Sequence, residues 1–341
     1  MTLRQKAAQV LLLAIDGTTL SAGTRELLAE GPPAGILLLE RNITGTAQIR
    51  ALTSALQQAA ADLGSGIEMF MAVDQEGGSV QRLRKGVPDV PAARTLGESS
   101  SPAEAGRLAA ETAAGLLDLG VNMNLAPVAD VVADKTSFLY RRSYGGDAAL
   151  VADFVAAVTK AFSRGGLISV VKHFPGHGSA SGDTHGEEVI SDATRADFEA
   201  IHLPPFRAAL AAGADGVMMA HIVATAYDPE RPASQSASII SGLLRGDLGF
   251  TGLVIADDLE MAAAGSNGTR EGAAPGEAAV AALEAGCDLL ISTGTLARQL
   301  QIRDAIVEAV RTGRLAPSRL DEAVLQVVAL KLRHGIVAPL R

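Results

Sequence analysis

The residues of this chain best suited to chemistry are concentrated in one short segment, 172–185. The run Lys172-His173-Phe174-Pro175-Gly176-His177-Gly178 is followed closely by Asp183-Thr184-His185. The whole chain has 6 histidines, and half of them lie here. A cation, several imidazoles and a carboxylate directly after the apolar stretch 167–171 predict a site at the end of a buried strand, because a strand core has no other use for such groups.

Asp183 and His185 have the spacing of an acid/base pair. A carboxylate two residues from an imidazole can hold one tautomer and favour the imidazolium form. An imidazole with a pKa near neutrality can both give and take a proton. A solvated loop with a surface histidine would show the same residues, so the prediction of catalysis depends on the neighbouring His173 and His177.

Asp257 follows the apolar run 253–256 and is the second candidate for a reacting group. A carboxylate that emerges there from a dry strand could be a nucleophile, a general base or a metal ligand. The structural alternative is an N-cap for the segment that follows, a role that suits the neighbouring Asp258.

Other charged residues near the strand ends have the chemistry of a binding site for hydroxyl groups. Lys172 and His173 can donate hydrogen bonds, Arg82 and Arg142 are forked donors, and Asp74 can accept from two hydroxyls. Paired acceptors and forked donors are what a polyhydroxylated ligand needs. For each arginine alone, a surface salt bridge is the competing interpretation.

A zinc site is an alternative use of some of these residues. His173, His177, His185, His221 and Asp257 could supply metal ligands on a barrel. The His-x-His strand signature and the His-Glu-x-x-His helix signature are both absent from the sequence. We therefore predict a site without a metal or other cofactor.

The elements that must position these residues alternate between strand-like and helix-like patterns. Eight continuous apolar runs read as strands: Val10–Ile15, Gly35–Leu39, Met69–Val73, Val121–Leu125, Ile168–Val171, Gly216–Met219, Leu253–Ala256 and Asp288–Ser292. Alanine-rich stretches with helical spacing lie between them, most clearly Ala103–Leu117, Ala149–Phe162, Arg195–Ala212 and Glu271–Ala285. This alternation predicts an α/β fold, a (β/α)8 TIM-like barrel in a single domain over 1–341, with an open doubly wound sheet as the alternative.

A barrel of this kind carries its site just after the strands, on the C-terminal face. Polar residues do gather at those positions: Asp74, Gln75 and Glu76 after the third run, Asn122, Asn124 and Asp130 around the fourth, the 172–185 segment after the fifth, His221 after the sixth, and Asp257 and Asp258 after the seventh. The regularity of this placement supports both the barrel and the site.

Composition excludes several other classes of function. The 341 residues are 48% hydrophobic, carry a net charge of −9 and have scattered basic residues, so nucleic acid is not an expected partner. Cys287 is the single cysteine and is expected to be a small buried residue. No apolar run reaches the ~20 residues that span a bilayer. Residues 4–15 are expected to be a helix start that leads into the first strand rather than a signal peptide, which indicates a cytoplasmic protein.

Several motifs together resemble glycoside hydrolase family 3, in its NagZ-like β-N-acetylhexosaminidase branch. The 172–178 run with Asp183-x-His185 is similar to the most diagnostic motif of that branch. Other motifs that fit are Val73-Asp74-Gln75-Glu76-Gly77-Gly78, Leu125-Ala126-Pro127-Val128-Ala129-Asp130, Arg142-Ser143-Tyr144-Gly145, Ala220-His221, Ala256-Asp257-Asp258-Leu259 and Ala285-Gly286-Cys287-Asp288. The resemblance covers nearly the whole chain.

The resemblance implies a retaining exo-hydrolase that removes terminal β-linked N-acetylglucosamine from peptidoglycan or chitin fragments. By position, it implies Asp257 as the nucleophile and His185 as the acid/base with Asp183 as its partner. The residues that would bind the sugar are Asp74, Arg82, Arg142, Lys172, His173 and His221. The expected partner is a small substrate, a GlcNAc-containing oligosaccharide or muropeptide. The protein is expected to be a monomer that binds neither nucleic acid nor membrane.

Two departures from the family pattern matter. Segment Asp134–Tyr140 lacks the Asn/Pro-rich sequence expected before Arg142, which affects the expected acetamido and aglycone contacts. The second domain of larger family members is not expected here. Three alternatives stay open at this point: phosphorolysis at the same site, a zinc-dependent hydrolase, and a catalytically silent sugar-binding protein.

Overall fold

The chain folds into a closed parallel barrel, in a computed structural model that describes residues 1–63, 67–180, 182–184, 186, 188–265 and 275–337. The strands within these residues are β1 (Leu11–Ala14), β2 (Gly35–Leu38), β3 (Phe70–Val73), β4 (Gln75–Gly77), β5 (Val80–Gln81), β6 (Met123–Asn124), β7 (Ile168–Phe174), β8 (Val189–Ser191), β9 (Gly216–Met219), β10 (Ile222–Ala224), β11 (Leu253–Ala256) and β12 (Leu289–Ser292).

Eight of these strands form the barrel, in the order β1-β12-β11-β9-β7-β6-β3-β2. Each one lies within a run that the sequence predicts, apart from the C-terminal extension of β7 to Phe174. Closure is shown by β1, which pairs in parallel with β12 (Leu12 opposite Ile291) and with β2 (Leu12 opposite Gly35). The barrel prediction is therefore confirmed, and the alternative of an open sheet is wrong.

Helices cover the outside of the barrel. Within the described residues they are α1 (Leu3–Ala8), α2 (Ala22–Glu30), α3 (Thr46–Leu63), α4 (Ala93–Ser99), α5 (Pro102–Asp118), α6 (Ala148–Gly165), α7 (Arg195–Asp197), α8 (Leu203–Ala211), α9 (Pro275–Ala285), α10 (Leu296–Arg311) and α11 (Pro317–Arg333). The predicted helices 103–117 and 149–162 correspond to α5 and α6. The predicted helix 271–285 corresponds to α9 from Pro275 onward, and its first four positions lie outside the described residues. At the N-terminus, α1 leads into β1 as expected.

One predicted helix, 195–212, is not continuous. It is divided into α7, a π-helical stretch Phe198–His202, and α8. Pro204 and Pro205 stand at the start of α8. Proline has no backbone N–H and its ring crowds the preceding turn, so two prolines in succession interrupt the regular α-helical hydrogen bonds and the helix changes pitch before them.

The apolar core has two layers, one inside the barrel and one between the barrel and the helices. The inner layer contains inward-facing strand residues such as Leu12, Phe70 and Ile255, and it also includes Val327 and Leu330 of α11. The outer layer packs the other face of each strand against the helices. Burial on both faces explains the continuous apolar runs. The contribution of α11 to the inner layer shows that this helix closes the floor of the barrel.

Two small sheets extend the C-terminal ends of the barrel strands. β4 and β5 form an antiparallel hairpin just after β3, and β8 pairs in parallel with β10. Both sheets therefore lie beside the loops in which the sequence predicts a site. Among the helices that the structure describes, none combines the length and apolar character that a membrane crossing requires.

Candidate active site

A cavity of about 380 Å³ opens at the C-terminal end of the barrel. Six of the nine predicted site residues line it: Asp74, Arg82, Arg142, Lys172, His173 and Asp257. Asp74 directly follows β3 and Asp257 directly follows β11. Side chains that leave parallel barrel strands at their carboxyl ends converge toward the axis, which is why residues far apart in sequence share one cavity.

Two cations and two carboxylates form a buried network on the cavity wall. The Lys172 Nζ lies 2.7 Å from Asp74 Oδ1 and 2.7 Å from Glu76 Oε1. Arg142 donates from Nε and Nη2 to the two Glu76 oxygens, each at 2.8 Å. Glu76 was not selected from the sequence. Its spacing was the available signal, because residues two apart on extended backbone face the same way, and Asp74 and Glu76 are so placed.

The network keeps its members charged in spite of their burial. Burial alone would raise the pKa of Glu76, but the charges of Arg142 and Lys172 outweigh it and hold this pKa well below the usual range. Burial alone would lower the pKa of Lys172, but Asp74 and Glu76 raise it above its usual value. The cavity therefore presents fixed donors and acceptors that need no reorganisation when a polar ligand enters.

Asp257 is ionised at the mouth of β11. Its backbone N–H donates to the Met219 carbonyl at 3.2 Å, and its Oδ1 accepts from the Asp258 N–H at 2.8 Å. Burial acts to raise the pKa of Asp257, but the backbone bond from Asp258 and the charge of Lys172 are among the influences that outweigh it and lower this pKa. A buried carboxylate that stays anionic at neutral pH has the properties of a nucleophile or an electrostatic stabiliser.

Asp258 also lines the cavity, but its carboxylate oxygens bond to neighbouring parts of the chain. Its Oδ1 accepts from the N–H of Glu260 at 3.2 Å and from the N–H of Thr293 at 3.1 Å, and its Oδ2 accepts from the Thr293 hydroxyl. Residues 259–261 form a turn rather than the helix start that the sequence suggests, so Asp258 fastens a turn and Thr293, while the Asp257 carboxylate accepts from the Asp258 N–H and lines the cavity.

Asp130 organises two histidines from behind the cavity. Its fully buried carboxylate accepts from His173 Nδ1 at 2.7 Å and from the His177 backbone N–H at 2.6 Å. Arg142 Nη2, which can only donate, lies 3.5 Å from His173 Nε2. The contacts fit the tautomer with its proton on Nδ1, which leaves Nε2 as an acceptor toward the cavity. The sequence placed Asp130 near a strand end but did not identify this role.

The Asp183-Thr184-His185 segment reaches the cavity through its central residue. Thr184 is 2% exposed, lines the cavity, and places its Oγ1 3.2 Å from His177 Nε2. The Asp183 carbonyl accepts from the Gly186 N–H at 3.1 Å. His185 lies outside the described residues. Position 184 therefore lies in the wall of the cavity that contains Asp257.

His221 lies behind the cavity and is not among the residues that line it. Its Nε2 is 3.1 Å from the Asp258 carbonyl, which can only accept, so Nε2 carries the proton and Nδ1 accepts from the Ser234 hydroxyl at 2.7 Å. Burial lowers the pKa of His221, in agreement with a neutral ring. This arrangement supports the Asp257–Asp258 backbone.

Arg82 and Phe138 complete the polar and apolar parts of the cavity wall. Within the described residues, the buried Nε of Arg82 has no hydrogen-bond partner, so a donor is available for a ligand. Phe138 belongs to the 134–140 segment that departs from the family pattern, and its ring meets the His177 ring edge-on at 5.2 Å. An aromatic face can pack against the apolar face of a sugar.

A metal centre finds no support in the part of the chain that the structure describes. No group of three or more histidine, cysteine, aspartate or glutamate side chains there could hold a metal ion. Cys287 is buried, and burial raises the pKa of its thiol, which favours the inert protonated form.

Known proteins of similar sequence and structure are glycosidases. A β-hexosaminidase of Stenotrophomonas maltophilia is 36% identical over 288 residues, which cover 83% of this chain and 82% of that protein. A family 3 β-N-acetylglucosaminidase from a Paenibacillus species superposes with a TM-score of 0.93 at 38% identity; the match covers 100% of this chain but only 64% of that one. A β-N-acetylhexosaminidase from Beutenbergia cavernae superposes with a TM-score of 0.87 at 30% identity, covering 98% of this chain and 99% of the other.

The N-terminal domain of glycosyl hydrolase family 3 matches residues 2–330. The match spans the whole barrel and every described residue that lines the cavity. By sequence and by fold, this chain belongs to glycosyl hydrolase family 3 and is a glycoside hydrolase.

Proposed function

We propose that this protein is a retaining exo-β-N-acetylglucosaminidase that acts on short peptidoglycan or chitin fragments. The observation that carries the proposal is the shared cavity. The ionised carboxylate of Asp257 and Thr184 of the proposed acid/base segment both line one cavity of about 380 Å³. The relatives named above as β-hexosaminidase and β-N-acetylglucosaminidase support the choice of sugar.

In the proposed reaction, Asp257 attacks the anomeric carbon and forms a glycosyl–aspartate bond. The bond from that carbon to the leaving oxygen breaks, and imidazolium His185 gives its proton to this oxygen. His185, now neutral, then takes a proton from water as the water oxygen replaces Asp257 at the anomeric carbon. Asp183 would stabilise the imidazolium. Most retaining enzymes use a second carboxyl group for this role, roughly 5 Å from the first.

The remaining cavity residues would bind the terminal sugar. Lys172 and Arg142 are donors held by Glu76, Asp74 is an acceptor held by Lys172, and His173 adds an acceptor held by Asp130. His221 would act indirectly by supporting the Asp257 backbone. The cavity of about 380 Å³ is of a size that suits one terminal sugar rather than a long stretch of polysaccharide, which supports exo action.

The experiment that tests this proposal is trapping of the intermediate. Incubation with 5-fluoro-β-N-acetylglucosaminyl fluoride, followed by peptide mass spectrometry, should place one sugar on the peptide that contains Asp257. The Asp257→Asn variant should give no adduct and should lose at least ~10⁴-fold in kcat on an aryl N-acetylglucosaminide. Turnover without an adduct would instead indicate a mechanism in which the substrate's own acetamido group is the nucleophile.

Two further measurements test, one at a time, the acid role of His185 and the identity of the acceptor, water or phosphate. His185→Ala should cut kcat/KM by about 10²–10⁴-fold for a poor leaving group such as phenol, and much less for 2,4-dinitrophenol, which leaves without a proton. Equal losses for both would contradict the acid role. Product analysis in phosphate buffer should show free sugar; accumulation of sugar 1-phosphate would assign the protein as a phosphorylase.

A further inference from the structure

We infer that Thr184 is a positioning residue, whose hydroxyl bond to His177 fixes the point of the chain from which the proposed acid/base residues, one on either side in sequence, extend. The inference rests on the proposed roles of Asp183 and His185. Thr184 stands between them in the sequence and is anchored at more than one point. It is therefore the residue through which the protein body can fix this segment.

The first anchor is the side chain. Thr184 Oγ1 lies 3.2 Å from His177 Nε2, and both residues are buried, at 2% and 3% exposure. Burial limits access of water as a competing partner, so the contact with this ring should constrain the hydroxyl strongly. Threonine at a solvated loop tip would be exposed, whereas this one is almost fully enclosed.

The second anchor is the backbone. The Thr184 carbonyl accepts from the Ala263 N–H at 3.3 Å, and Ala263 belongs to the segment that follows Asp257 and Asp258. The Gly186 N–H donates to the Asp183 carbonyl at 3.1 Å, a second backbone contact beside Thr184. Thr184 is thus tied by its side chain to the segment that follows β7 and by its carbonyl to the segment 262–265 that follows Asp257 and Asp258.

His177 is itself held rigidly, so the bond transmits a defined position. Its backbone N–H donates to the Asp130 carboxylate at 2.6 Å, and Asp130 also holds His173. Gly178 packs so tightly that an added Cβ would lie 2.2 Å from the Val131 carbonyl oxygen. The line Asp130–His177–Thr184 therefore links a sugar-binding histidine with the acid/base segment through fixed contacts.

The loop that contains Thr184 is also held by a contact between residues 179 and 191 that does not involve Thr184. Thr184 is therefore expected to affect the orientation of the 183–185 segment rather than the attachment of the whole loop. The Ser191 hydroxyl donates to the Ser179 carbonyl at 3.2 Å, and Ser191 lies in β8, which pairs with β10. This contact joins the two ends of the loop whether or not the Thr184 hydroxyl is present. Removal of that hydroxyl should loosen the 183–185 segment without releasing the loop.

Thr184→Val tests the inference, because valine keeps the shape and removes only the hydroxyl, and Thr184→Ser is the matched control. The quantity to measure is the ratio of kcat/KM for 2,4-dinitrophenyl N-acetylglucosaminide to kcat/KM for the phenyl glycoside. Loss of one buried hydrogen bond should raise this ratio about 5–15-fold in Thr184→Val. The ratio should stay within about threefold of the unaltered protein in Thr184→Ser. The general damage expected of a purely structural role would lower both values and leave the ratio unchanged.

The outcomes separate this inference from the proposed function. If His185→Ala raises the ratio but Thr184→Val does not, the positioning role is wrong and the acid role stands. If His185→Ala leaves the ratio unchanged, the acid role itself is wrong. A rise in Thr184→Ser equal to that in Thr184→Val would also overturn the inference, because the hydroxyl is then irrelevant. Should Thr184→Val fail to fold, as judged by its thermal transition, Thr184→Ala gives the same comparison.

Discussion

The mouth and the floor of the barrel each bury a lysine, and the two lysines behave in opposite ways. Lys172 at the mouth is 2% exposed and contacts two carboxylates at 2.7 Å. Lys331 of α11 at the floor is 0% exposed; its Nζ donates to the Gln9 Oε1 at 3.1 Å and lies 5.1 Å from the centroid of the Phe70 ring. Asp74 and Glu76 raise the pKa of Lys172, whereas burial lowers the pKa of Lys331 to about 7.

The difference shows that burial alone does not decide the charge of a lysine. Desolvation disfavours the ammonium at both ends of the barrel, and only the mouth provides carboxylates close enough to reverse its effect. The mouth thus maintains charge where a polar ligand must be bound. At the floor an amide and an aromatic ring contact the ammonium, and the opposing charge of Glu68 does not outweigh burial, so the pKa of Lys331 falls to about 7. The mouth of the barrel thus stabilises a buried positive charge, whereas the floor destabilises one.

Among the variants proposed for these two lysines, Lys172→Met should cause the largest change in the free energy of unfolding. The variant leaves Asp74 uncompensated and leaves Glu76 with Arg142 alone, and a broken buried ion pair costs about 3–5 kcal/mol. Urea unfolding at pH 7 should show a loss of this size, together with loss of glycosidase activity. A loss below about 1 kcal/mol would mean that water enters and screens the network.

Lys331→Met is the matched variant at the floor, and it should increase the free energy of unfolding where Lys172→Met decreases it. At pH 6 the folded protein must hold a buried ammonium, so an apolar side chain of similar length should raise the free energy of unfolding by about 1–3 kcal/mol, even though the Gln9 carbonyl loses a partner. Urea unfolding at pH 6 measures the change. A destabilised variant would show that the Lys331–Gln9 bond matters more than desolvation.

The pH dependence of Lys331 gives a sharper form of the same test. Its folded pKa is lowered, so between pH 7 and the unfolded value near 10.5 the unfolded state binds more protons. Stability attributable to Lys331 therefore rises with pH across this window, and its cost is fully present below pH 7. The advantage of Lys331→Met should shrink by about 2 kcal/mol between pH 6 and pH 9. An advantage that does not vary with pH would place the effect in packing rather than charge.

The smallest effect is expected at another floor contact, between His334 and Asp215. His334 Nε2 lies 2.9 Å from Asp215 Oδ1; burial opposes the charge of the ring, but Asp215 and the Gly166 carbonyl raise its pKa. A raised histidine pKa contributes stability below the unfolded pKa, which is lost as the pH rises through the folded value. Asp215→Asn should cost about 1 kcal/mol at pH 5.5 and only a few tenths at pH 9. Thermal unfolding at both values checks this; a larger cost at pH 9 would contradict it.

Much of the candidate site could be predicted because its residues stand next to strands. Asp74, Lys172, His173 and Asp257 all leave the ends of apolar runs that are continuous in sequence, so their convergence follows once the barrel is inferred. Glu76 could have been found from its spacing to Asp74. The role of His221 could not, because only the fold shows that its ring lies behind the Asp258 carbonyl rather than in the cavity wall.

Partnerships between distant residues were not accessible in the same way. Lys172 bonds to Asp74 across 98 positions of sequence, and this pairing depends on the short β6 lying between β3 and β7 in the barrel. The predicted helix 195–212 shows a different limit, because here the sequence predicted one continuous element where the structure has three. Its apolar spacing indicated one element, while the local stereochemistry of Pro204 and Pro205 divides it.

The sequence by itself determined eight strands buried on both faces, with polar residues placed after them, because apolar runs and their length are local properties; closure of the strands into a barrel rather than an open sheet was settled by the pairing of β1 with β12. The tertiary structure alone decided which charges meet. Lys172 keeps its proton and Lys331 loses it because charge depends on partners within a few ångströms, and those partners come from strands and helices that the chain brings together only when it folds.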